Sequence, residues 1–236
     1  MKRNLVVLVL AMLFSGLQQA TGAPPEGPTD VEIVNAMEQH YRAAILAHDA
    51  LMQGDLTAFS ARLTELAAAE LPPNSPDLWV PFNAQMQSAA HSGAKSPDLA
   101  AAADAMASVA LACGVCHQAV VRGPVYPVPP KGAPDESLKD RMGEHEWATL
   151  MIWNGVTGPS EYAWGLGAES LATTRIFAAN TQVGDEGSLP EMAAALRTLG
   201  EEAKVTTSLH ARSAIYGRML ATCGGCHQAA GVKLTR

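Results

Sequence analysis

The chain has 236 residues, 48% of them hydrophobic and 17% charged, a composition that argues against disorder and allows one large domain or two small ones. Its formal net charge of −7 excludes nucleic acid as a natural partner and suits steering toward a basic patch on another protein. Aromatic residues make up only 5% while alanine fills several long stretches, so the core is expected to be built from small side chains that leave room for something bulky.

Residues 1–22 read as a secretory signal: Lys2 and Arg3 give a positive start, Leu5 to Leu17 is an apolar run, and small residues follow. The run is too short to span a bilayer comfortably. Cleavage after Gly22, with Ala20 three positions before the cut, makes Ala23 the mature start. No cysteine sits there to take a lipid anchor, and no later stretch reads as a membrane span. A soluble exported protein is expected.

Apolar spacing and breaker residues then predict four helices over 30–52, 55–70, 77–92 and 97–121. Gly54-Asp55 separates the first pair, Pro72-Pro73 and Pro76 the second, and Ser96-Pro97-Asp98 opens the fourth, where proline is tolerated in a first turn. Residues 122–137, RGPVYPVPPKGAPDES, hold five prolines and two glycines and cannot continue a helix. They mark a boundary between a first domain at 23–121 and a second at 139–236, joined by a linker at 122–138. Four further helices are predicted over 139–156, 159–180, 189–203 and 206–230, with Gly158-Pro159-Ser160 and Ser188-Leu189-Pro190-Glu191 as starts. No stretch alternates with period two for long enough to argue for a sheet, so the fold class is all-α, with two four-helix bundles in tandem as its simplest form.

All four cysteines fall in two CxxC pairs, each followed directly by histidine: CGVCH at 113–117 and CGGCH at 223–227. The spacing does three jobs for a covalent haem: two thiols add to the vinyl groups as thioethers, and the adjacent histidine sets an imidazole under the iron. Cys113, Cys116, Cys223 and Cys226 are therefore candidate attachment residues for two haem c groups, with His117 and His227 as proximal iron ligands. Two disulfides or one Cys₄ zinc site would use the same thiols, but neither requires a histidine after each pair. A thioredoxin-like exchange centre would need a strand-to-helix context, whereas these motifs fall late in predicted helices.

The chain also repeats itself. Setting the motifs in register gives an offset of 110, with CGVCHQAV over CGGCHQAA, and the N-terminal parts of the halves match at an offset of 105. That second register brings Met37, His40 and Ala43 over Met142, His145 and Ala148. It also pairs Arg42 with Trp147 and His48 with Trp153, so the halves are not identical in chemistry.

A CxxCH near the C-terminal end of a four-helix unit resembles the class II c-type cytochromes, the group of cytochrome c′ and its low-spin relatives, and both halves share the resemblance. In that family the residue facing the open side of the haem comes from the first helix. The resemblance therefore implies His40 and His145 as the second axial ligands, with Met37 and Met142 packing the haem or standing in as ligands. The basic residue that cytochrome c′ carries four places beyond the haem histidine is absent: Val121 and Gly231 stand there, with Arg122 and Lys233 slightly later.

Two histidines on each iron imply low-spin haems closed to substrates, and hence an electron-transfer protein of low potential rather than an enzyme. The rival is a gas-binding or peroxide-reactive haem protein with at least one iron five-coordinate. Redox proteins are the expected partners, homodimerisation is a habit of the family, and haem c with such a signal points to a bacterial periplasm. A third reading, a subunit docking to a larger oxidoreductase through Trp79, Trp147, Trp153 or Trp164, is weaker than core packing for those residues. No carboxylate pair, Ser-His-Asp set or phosphate-binding glycine loop stands out.

Overall fold

The structure is a computed structural model that describes residues 27–132, 137–177 and 189–231. The predicted signal, the segment at 178–188 and Lys233 lie outside the described residues. Within them the protein is all-α, with no strand. Its helices are α1 Asp30–Met52, α2 Leu56–Ala67, α3 Val80–Gly93, α4 Leu99–Val120, α5 Leu138–Thr157, α6 Glu161–Thr173, α7 Leu189–Lys204 and α8 Leu209–Ala229. A 3₁₀ turn, Asp77–Trp79, leads into α3.

Most starts are written in the local sequence. Thr29 and Glu32 form a reciprocal capping box on α1, and Asp55, Asp98, Ser137, Ser160 and Ser208 each accept a backbone N–H of the first turn that follows. Each such cap stabilises its helix by about 1 kcal/mol. The ends fit less closely. Helix α2 stops at Ala67 instead of 70, ahead of Leu71-Pro72-Pro73, because residues before proline are pushed out of helical geometry. Helix α6 stops at Thr173 instead of 180: Thr174 is extended, Ile176 is buried, and the Ile176 carbonyl accepts from Arg141 Nε on α5 at 2.7 Å. A tertiary contact thus outweighs the apolar pattern that predicted a longer helix.

Neighbouring helices pack in order within each half, α1 on α2, α2 on α3, α3 on α4, and likewise α5 to α8. The halves also meet directly, most extensively through α4 on α8, with α4 on α5 and α1 on α8 beside it. One buried apolar cluster includes Ala47, Leu51, Met106 and Ala110 from the first half and Ile152, Trp153, Met219 and Leu220 from the second. Helix α4 is, by length and composition, apolar enough to cross a membrane, contrary to the expectation that no later stretch would be. Its alanine-rich character has a different use here: Ala102, Ala103, Met106, Val109 and Ala110 are all fully buried where α3 and α8 close on it.

Candidate functional site

Both motifs lie in the last turns of the helices that meet at the centre, CGVCH at the end of α4 and CGGCH at the end of α8. The four thiols are free and half-buried or buried. Burial pushes Cys113 and Cys223 up to about 12, each helped by the second thiol of its own pair, and burial raises Cys116 and Cys226 as well. Thiols held protonated in this way are poor nucleophiles at neutral pH, which argues against a thiol-exchange centre. Among the described residues, no three His, Cys, Asp or Glu side chains converge as ligands for a single ion, so the two pairs do not form a Cys₄ set.

The histidines of the motifs are oriented by the opposite half. His117 Nδ1 donates to the carbonyl of Thr157, the last residue of α5, at 2.6 Å, and His227 Nδ1 donates to the carbonyl of Met52, the last residue of α1, at 2.7 Å. Terminal helix carbonyls have no partner within their own helix and accept such bonds readily. Because Nδ1 carries the proton, Nε2 keeps its lone pair, which is the tautomer an iron ligand requires. Burial lowers His117, with the Thr157 bond opposing.

In the first half a cavity of about 420 Å³ opens beside the motif. That size is within the range of cofactor pockets. Met37, His40 and Tyr41 of α1 line it with Met86 of α3, Cys113, Cys116 and His117 of α4, and Trp153 of α5. Sequence reasoning placed Met37 and His40 together with the motif, and the fold brings them to one cavity. His40 is buried and held below the ordinary imidazole range by burial and by nearby His117, against a bond from Nε2 to the Glu70 carbonyl at 3.2 Å.

The counterpart His145 is also buried, and burial, opposed by Glu144 and reinforced by His227, lowers it to about 4. Its Nε2 has no hydrogen-bond partner. An unpaired buried nitrogen is costly, and a ligand on it would remove that cost; His48 Nε2 in the centre of the molecule is unpaired in the same way. Met142 is half-buried against the core. At the first motif the residues present would fit a c-type haem, with paired thiols, an imidazole of the right tautomer and an apolar cavity; the second motif repeats the thiols and the imidazole and has an orphaned buried imidazole at the matched first-helix position.

Several neighbours escaped the sequence reading. The connector is more than a tether, because Arg122, Gly123, Pro124 and Tyr126 close one wall of the first cavity. Tyr126 packs against Tyr41 with the rings tilted and their centroids 5.8 Å apart, and burial pushes it up to about 12. At the centre, His48, Trp153 and Tyr216 form a buried ring cluster with centroids 5.7 to 6.2 Å apart, and His48 Nδ1 meets Asp49 at 3.3 Å. The matching of His48 with Trp153 was the one advance signal of that cluster. Arg42 is exposed, whereas Trp147 donates its Nε1–H to the Pro129 carbonyl at 2.8 Å, so the matched pair does different work in the two halves. Trp153 and Trp164 are buried, as core packing requires.

Compared with protein-family models, curated proteins and solved structures, the chain has no significant match.

Proposed function

We propose that this chain is an exported dihaem c-type cytochrome that carries electrons between redox proteins, built as two four-helix units of the cytochrome c′ kind. The observation that carries the reading is the pairing of each CxxCH motif with an imidazole already in its iron-binding tautomer, His117 on Thr157 and His227 on Met52. In this reading Cys113 and Cys116 hold one haem c as thioethers and Cys223 and Cys226 the other. His117 and His227 are the proximal ligands. His40 and His145 would supply the second imidazole to each haem, with Met37 and Met142 as packing residues or stand-in ligands. Covalent haem supplies a one-electron iron couple, which none of the chain's own side chains offers.

The chain's part is to fix and to exclude. Met37, Met86 and Trp153 give the first site apolar walls, and the lower dielectric beside them would strengthen the imidazole bonds made there. Two imidazoles on each iron favour a low reduction potential and leave no open position for a substrate. The acidic chain suits docking to a basic redox partner, and the N-terminal signal suits a bacterial periplasm.

One observation favours a second reading for the first half alone. His40 Nε2 donates to the Glu70 carbonyl while His145 Nε2 has no hydrogen-bond partner, which in this reading leaves the first iron open to a gas or peroxide. Low-temperature electron paramagnetic resonance of the oxidised protein, followed by carbon monoxide added after reduction, separates the two. Two low-spin signals and no spectral change with carbon monoxide are expected for the carrier. A high-spin signal with an immediate change would make the first half a gas-binding site.

A further inference from the structure

The motifs share more than their cysteines and histidines: both read Cys-Gly-x-Cys-His, with Gly114 and Gly224 in the first variable position. Haem attachment makes no demand on that position, since its bonds come from the thiols and the imidazole. The fold does. Each glycine lies against the last turn of the opposite half's first helix: a Cβ at Gly114 would collide with the Val156 carbonyl oxygen, and one at Gly224 would sit 2.7 Å from the Leu51 carbonyl oxygen. Val156 and Leu51 are matched at the 105 offset, and each directly precedes the residue whose carbonyl takes the histidine Nδ1–H. The second variable position behaves differently. It is Val115 in one motif and Gly225 in the other, and nothing lies within 4 Å of a Cβ built on Gly225.

We propose that Gly114 and Gly224 are positioning residues which let each first helix end close onto the other half's attachment helix, so that each iron's proximal histidine is held in trans. A methyl group at either position would lift the helix end, and with it the Thr157 or Met52 carbonyl, away from the imidazole. Carbonyl oxygens at a helix C-terminus carry the negative end of the helix dipole, so the bond they accept makes the imidazole more basic. A more basic ligand favours ferric iron. Losing the bond therefore raises the reduction potential of the site it serves, and the crossed arrangement means that each site is incomplete without the other half.

The inference rests on the dihaem reading, and its test keeps the two apart. Gly114→Ala, Gly224→Ala and the control Gly225→Ala are made in the full chain. Covalent haem is counted from the pyridine haemochrome spectrum, and the potentials are read by optical redox titration. Two haems per chain are expected in every form. One potential should rise in Gly114→Ala and the other in Gly224→Ala, by about tenfold in ferric preference or about 59 mV for one electron, with no change in Gly225→Ala. Two haems with unmoved potentials in both variants would overturn the positioning role and leave the dihaem reading standing; an unaltered protein without covalent haem would overturn both. If alanine prevents folding, proton NMR of the unaltered protein decides: slow solvent exchange of both histidine Nδ1–H protons is expected, and exchange at the rate of a free imidazole sinks the proposal.

Discussion

Arg212 carries a full charge at 3% exposure, and its surroundings explain how the fold tolerates it. Its guanidinium forks onto the Glu161 carboxylate, with Nη1 to Oε1 at 2.7 Å and Nη2 to Oε2, while Nε donates to the Thr206 carbonyl at 3.1 Å. It also lies over the Trp164 ring, 5.2 Å from the centroid, and Trp164 in turn donates to the Ala203 carbonyl at 2.8 Å. One side chain thus joins the start of α6, the end of α7 and the start of α8. Replacing it, as in Arg212→Met, leaves acceptors unpaired and should cost about 1–3 kcal/mol. The hydrogen bonds from Arg212 hold the Glu161 carboxyl below its usual range. A carboxyl depressed in the folded state contributes stability above its unfolded pKa, and that contribution is lost as pH falls through the folded value. Glu161→Gln should therefore be less stable than the native protein at neutral pH, with the deficit closing only as pH falls through the depressed value of the folded carboxyl. Urea midpoints of the two forms across that range check it, and a deficit independent of pH would deny the charge its role.

At the scale of the element, much was legible because start signals are local. Asp98 and Ser160 announce their helices, and the two motifs fall at helix ends where the alanine-rich pattern stops. What the pattern does not encode is which face meets which partner, and so the shortening of α6 and the role of the connector at Tyr126 were invisible. The candidate ligands could be found because the repeat matched them. The carbonyls that orient His117 and His227 could not, since a backbone acceptor leaves no mark in residue identity. Glycines give the clearest trace of such contacts. Gly167 of α6 faces α5 so closely that a Cβ would sit 2.8 Å from the Ala148 carbonyl oxygen and from the Ile152 nitrogen, both backbone atoms, whereas Gly165, half a turn away, has nothing within 4 Å. Alanine raises helix propensity by up to about 1 kcal/mol at either position. At Gly165 that gain should appear undiminished, and at Gly167 overpacking of about 1–3 kcal/mol should outweigh it. Denaturant midpoints shifting in opposite directions are the expected result.

For the whole molecule, the repeat has a geometric consequence: matched residues touch one another, as they do near the axis of an isologous dimer. His48 meets Trp153, and a Cβ on Gly217 would lie 3.1 Å from that of Ala107, its match at the 110 offset. Ser213, buried on α8, donates to the Ala107 carbonyl at 2.7 Å. Together with the crossed bonds of His117 and His227, these contacts tie the stability of each half to the other, although the sequence divides at the proline-rich connector. Gly217→Leu is a wedge at the crossing of α4 and α8, where overpacking costs about 1–3 kcal/mol. If the halves were separate folding units, the loss would stay in the second half, where the substitution sits. With a shared core it spreads to both, so amide hydrogen exchange should speed up in α1 and α4 as much as in α5 and α8, and thermal unfolding should remain a single transition at a lower temperature. Loss of protection confined to α5–α8 would show instead that the halves hold their structure independently and that the crossed bonds are contacts between two finished domains.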